Sequence, residues 1–124
     1  MITIASLLSI VLTTFHVTSD MALGIDKPGL GILFVLVPIV VFLLCGTLLL
    51  AGRRSGYIII LVGSLLGLAV AYLHLGSARI GERAMASGGF FFIWTLVAMS
   101  TTSLFSIILA AQGLWRLQRS SRGS

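Results

Sequence analysis

Residues 30–51 read LGILFVLVPIVVFLLCGTLLLA, a run with no charged side chain. About 20 apolar residues in a row, rising 1.5 Å each as a helix, cross a hydrocarbon core about 30 Å thick. A membrane strand would instead show about 10 residues of alternating polarity, and no such pattern occurs here. Pro38 lies inside the run and leaves the carbonyl near Phe34 without its usual helical donor.

Three further apolar runs flank this one: Ile2–Ser19, Tyr57–Gly76 and Phe90–Leu114. Of the 124 residues, 58% are hydrophobic and 9% charged, against roughly 25% charged in a soluble domain. The mean hydropathy is +1.17. These values exclude an ordinary soluble domain, a disordered chain and a coiled coil, and the length leaves no room for a two-domain enzyme. The expected architecture is all-α: a polytopic membrane protein forming an antiparallel four-helix transmembrane bundle. It is one domain over residues 1–124, with spans at about 2–19, 30–51, 57–76 and 90–114 and a basic cytoplasmic tail at 115–124. The first run has no Lys or Arg ahead of it and no clean small-x-small site after it, so it is expected to remain as a span.

The links are short. Asp26-Lys27-Pro28-Gly29 has turn chemistry, and Gly52-Arg53-Arg54-Ser55-Gly56 is a second tight connection. A longer third link, Ser77 to Gly89, carries Arg79, Glu82 and Arg83. Short links make consecutive helices antiparallel. The N-terminus, the second link and the tail then share a side bearing Arg53, Arg54, Arg116, Arg119 and Arg122 with no acidic residue. The opposite side holds Asp20, Asp26, Lys27, Arg79, Glu82 and Arg83, whose charges cancel, so the net +5 lies on one side. Lys and Arg near helix ends face the cytoplasm, so both termini are expected there, in a plasma (inner) membrane. Tyr57 and Trp115 mark the cytoplasmic edge and Trp94 lies near the other.

The lipid bilayer is the one partner this pattern implies. The basic residues sit at helix ends rather than on a nucleic-acid-binding face, no particular protein is indicated, and self-association is left open. The single cysteine, Cys45, rules out an intrachain disulfide and a cysteine zinc site, and is read as a small packing residue. No nucleophile motif, phosphate loop, HExxH or CxxC occurs. No catalysis, cofactor or metal is therefore assigned.

Small residues at Gly63, Gly67 and Ala71 repeat every four positions, a spacing that lets helix backbones approach closely in lipid. At about 100° per residue His74 falls within about 20° of Gly63 and Gly67, which turns it into that packing seam. The first run carries a polar stripe of Ser6, Ser9, Thr13, His16 and Asp20, and the fourth carries Thr95, Thr102, Ser106, Ala110 and Gly113. Both stripes are expected to face inward with hydrogen bonds between helices.

Depth follows from helical rise. His16 stands about 21 Å above Ile2, and His74 about 25 Å above Tyr57, with Asp20 one turn beyond His16. His16, Asp20 and His74 thus form a candidate polar or ligand site in the outer third of the bundle. The favoured reading is a cluster hydrogen-bonded across the bundle. The alternatives are a metal or haem ligand set using His16 and His74, and a small proton-linked transporter.

The stretches Phe15-His16-Val17-Thr18-Ser19-Asp20, Gly46 to Tyr57 and Gly89 to Leu96 resemble a family of small, uncharacterised four-span bacterial integral membrane proteins, and the likeness covers most of the chain. The resemblance implies the topology and a bacterial plasma membrane, and no mechanism. Small multidrug exporters fit less well, because they rely on a membrane-embedded Glu in the first span, which here holds Ser, Thr and His. Dual-orientation fluoride channels fit less well because of the one-sided charge.

Overall fold

The computed structural model describes residues 1–22, 30–76 and 89–122. The turn at Asp26–Gly29 and the charges Arg79, Glu82 and Arg83 lie outside the described residues. All regular structure described is helical: α1 (Ile2–Ala22), α2 (Leu30–Leu44), a π-helical turn (Cys45–Leu49), α3 (Arg54–Leu75) and α4 (Gly89–Arg122).

Three of these helices are long and apolar enough to cross a membrane: Ile2–Met21, Arg54–His74 and Gly89–Arg122. The expected second span departs from this. Its regular α-helix stops at Leu44, and the chain widens into the π turn, where Leu50 N–H reaches back to Cys45 O at 3.0 Å. The widened turn brings Gly46 and Thr47 inward, and both are buried. Gly52, at φ +76°, then reverses the chain in the left-handed region that glycine adopts without cost. The fourth helix also departs from expectation. It does not stop at Leu114 but runs on through Arg122, because residues 115–122 contain no Gly or Pro and are mostly good helix formers. Arg119 lies over the Trp115 ring at 4.1 Å, one turn on, which supports this extension.

The surface is inverted relative to a soluble protein. Among the described residues eight buried side chains are polar or charged and seven hydrophobic, while Phe34, Leu49, Leu73 and Phe90 are each at least 70% exposed. Such an apolar exterior is one that lipid covers.

Serine and threonine are tolerated in these helices because most of their hydroxyls bond a carbonyl one turn back. Ser9 donates to Ala5 O, Thr13 to Ser9 O, Thr14 to Ile10 O and Thr101 to Val97 O, at 2.7–3.0 Å. This corrects the expectation of interhelical bonds along the whole α1 stripe. Only Ser6, His16 and Asp20 of that stripe are buried. Ser6 meets Thr47 at 2.7 Å; since Thr47 spends its proton on Leu43 O, Ser6 is the donor.

Helix α4 lies at the centre, against α1 and α3. Ala71 of α3 joins Phe92, Leu96 and Met99 of α4 in the main core cluster. Gly67 faces Ser103, and Gly113 receives the Tyr57 ring. Positions therefore rise along α3 as they fall along α4. The stripe Gly63–Gly67–Ala71 is not one seam, as read from the sequence. It is divided, with Gly63 packed under Leu43 at the end of α2 and Gly67 and Ala71 packed on α4. On α4 the buried face is centred on Phe92, Thr95, Met99, Ser103, Ser106 and Ala110. Thr102 sits at its edge, its hydroxyl bonded to Ala98 O and Met99 O.

The Gly67 packing yields a first expectation. A Cβ there would stand 3.0 Å from Ser103 Oγ, whereas Leu66 is 60% exposed. Gly67→Leu should lower the thermal midpoint in detergent clearly more than Leu66→Ala. Equal midpoints would show that the Gly67 face does not hold α3 to α4.

Candidate functional site

His16 and Asp20 are one turn apart on α1 and project to the same side. His74 enters from the last turn of α3 and Phe92 and Thr95 from the start of α4. The structure brings the three sequence-named residues together. The His16 and His74 rings meet edge to face with centroids 5.2 Å apart. Asp20 Oδ2 is 3.7 Å from His16 Nε2 and 3.5 Å from His74 Nε2. His16 and Asp20 are 2% exposed, and the His74 side chain 26%. The site is thus closed on the α1 side and accessible past His74.

The partners of the other ring nitrogens assign both tautomers. His74 Nδ1 is 2.8 Å from Val70 O. A carbonyl only accepts, so His74 carries its proton on Nδ1. His16 Nδ1 is 3.3 Å from Thr95 Oγ1, and Thr95 gives its single proton to Phe92 O at 2.9 Å. The hydroxyl oxygen therefore accepts, and His16 is protonated on Nδ1 as well. In the neutral form of each ring Nε2 is then the unprotonated nitrogen, and in both rings it faces the Asp20 carboxylate.

Phe92 floors this arrangement, fully buried, with its ring 5.2 Å from His16 and 6.3 Å from His74. Thr95 belonged to the inward stripe read from the sequence, but nothing there paired it with His16. Phe92 carried no signal except its position three residues before Thr95. Beside His16 a cavity of about 240 Å³ opens between the helices, lined among others by Thr13, Leu36, Gly67, Val70 and Met99.

The other named residues lie elsewhere. Arg53, Arg54, Arg116, Arg119 and Arg122 are all exposed. Met1, Tyr57, Gly113 and Arg116 line a common cavity of about 350 Å³, so the N-terminus, the start of α3 and the last third of α4 share one end. The histidines lie toward the other.

No family model matches the chain, and neither a curated protein nor a solved structure matches it.

Proposed function

We propose that the chain is a four-span, antiparallel integral protein of a bacterial plasma membrane, with both termini cytoplasmic and no catalysis of its own, whose working part is a ligand-binding centre at His16, Asp20 and His74. The observation that carries this is the convergence of two imidazoles and a carboxylate from α1 and α3 inside a body with an apolar exterior. Ionisable groups at that depth are costly to keep and mark functional sites. The fourth span is α2 together with the π turn. Residues 30–49 are 20 positions, about 30 Å of helix, and Leu43 and Ile59 hold them to α3. The exposed arginines gathered at one end support cytoplasmic termini, and the resemblance to small four-span bacterial proteins supports the membrane. A small transporter is the second reading, and the cavity beside His16 is what favours it.

Two measurements test the proposal. A reporter fused after Ser124 should read as cytoplasmic, and periplasmic alkaline phosphatase activity from that fusion would refute the orientation. His16→Cys and His74→Cys, combined in a Cys45→Ala background, should cross-link with a short bifunctional reagent. A folded protein that does not cross-link would remove the shared centre.

A further inference from the structure

We propose that His16 Nε2, His74 Nε2 and an Asp20 carboxylate oxygen form a binding site for one divalent metal ion of the zinc class. This rests on the centre proposed above and names its ligand.

The first argument is geometric. One donor atom from each of the three residues lies within 4.8 Å of the other two. The Nε2–Oδ2 separations of 3.5 and 3.7 Å are too long for good N–H···O bonds, which fall at 2.7–3.2 Å. Ligands held about 2.0–2.1 Å from a tetrahedral zinc ion stand about 3.3 Å apart. The two His–Asp spacings are therefore those of groups facing a common ion, to within a few tenths of an ångström, and the donor atoms of the two imidazoles, within 4.8 Å of each other, close onto the ion as it binds. His16 and Asp20, four residues apart on one helix, form a chelating pair, and His74 supplies the third ligand from a second helix.

The second argument is independent of that spacing. A metal-bound histidine needs its coordinating nitrogen deprotonated and commonly donates the other N–H to a fixed acceptor, which sets the tautomer and the ring orientation. Both histidines already have such an acceptor at Nδ1, Val70 O at 2.8 Å for His74 and, more loosely, the Thr95 hydroxyl at 3.3 Å for His16. Thr95 is itself oriented by Phe92 O. With both Nδ1–H groups held in this way, both Nε2 atoms face one carboxylate.

The donor set decides the class of ion. Two imidazoles and one carboxylate suit zinc and its neighbours rather than magnesium or calcium, which take all-oxygen shells. Three protein ligands leave a fourth position for water or substrate. A haem does not fit: Asp20 Oδ2, within 3.7 Å of both Nε2 atoms, stands where the macrocycle would lie.

The test uses the full chain in detergent, stripped with a chelator and titrated with Zn²⁺ alone or Co²⁺ alone. One equivalent of Zn²⁺ should bind, and Co²⁺ should show the intense visible bands of a four-coordinate ion. His16→Gln, His74→Gln and Asp20→Asn should each abolish the bands while the helical circular dichroism is kept. His74→Gln alters the most accessible of the three side chains, so it is the variant least exposed to a folding defect. Thr95→Val, which touches no ion, should weaken Zn²⁺ binding about 10- to 100-fold as a positioning residue, and Thr102→Val should not. Equal Zn²⁺ binding by the parent and the three ligand variants would overturn the site, as would octahedral Co²⁺ spectra. If no metal binds while the cross-link between positions 16 and 74 forms, the metal assignment falls and the centre stands. If the cross-link also fails, both fall.

Discussion

Phe92→Ala is expected to destabilise the protein by about 3–5 kcal/mol, the usual cost of truncating a buried aromatic. Phe92 is fully buried and packs with Ala71, Leu96 and Met99 while flooring both imidazoles. In lipid the loss comes mainly from dispersion contacts and from the cavity left behind, because lipid tails are as apolar as the side chain. Phe91 provides the control. It is 44% exposed and stacks on Trp94, with centroids 6.1 Å apart, so Phe91→Ala should cost less than about 1 kcal/mol. Unfolding by a denaturing detergent reads both. Similar midpoints would mean that α4 does not present Phe92 to the core. Because Phe92 of α4 packs against position 16 of α1 and position 74 of α3, its loss should also loosen the two helices there and lower cross-linking between cysteines at those positions.

Gly56→Ala is the second change with a large expected effect, although it adds a single methyl. Gly56 is buried in the first turn of α3, and a Cβ there would strike Leu50 O and come within 2.8 Å of Gly46 O. Both are backbone atoms and cannot rotate away. The hydrogen bonds Leu50 N–H to Cys45 O and Arg53 N–H to Leu50 O, both 3.0 Å, are the ones that must yield. A cost of about 1–3 kcal/mol follows, as for other overpacked sites. Gly31→Ala is the opposing case. Nothing lies within 4 Å of its added Cβ, and alanine is a better helix former by about 1 kcal/mol, so this variant should be unchanged or slightly more stable. Gly56→Ala matching Gly31→Ala in midpoint would show that the π turn does not pack on α3.

The sequence was informative where the physics is local. Hydropathy placed the four helices, because each backbone must satisfy its own polar groups in hydrocarbon. Fixed rise and period put His16, Asp20 and His74 at comparable depth on inward faces, and in the structure those residues meet. It was less informative at the helix ends. Leu44 ends the regular part of α2 because of a π turn that no residue type announces, and α4 continues to Arg122 although polarity rises after Leu114.

Composition, hydropathy and periodicity alone were enough to establish an all-helical chain suited to a membrane, with its polar residues gathered on particular faces, since each of these depends only on neighbours a few positions away. Which face meets which helix was decided by the tertiary structure. Gly63 and Gly67 share a face yet touch different partners, Leu43 and Ser103. Ser103 rather than Thr102 is buried, a rotation that hydropathy cannot register where lipid and protein are equally apolar. Hydroxyls such as Ser9 and Thr13 could turn to their own helix or to another, and only packing chose. The same holds at the centre: that Thr95 and Val70 take the Nδ1 protons, and so aim both Nε2 atoms at Asp20, depends on the mutual rotation of α1, α3 and α4, which no single helix encodes.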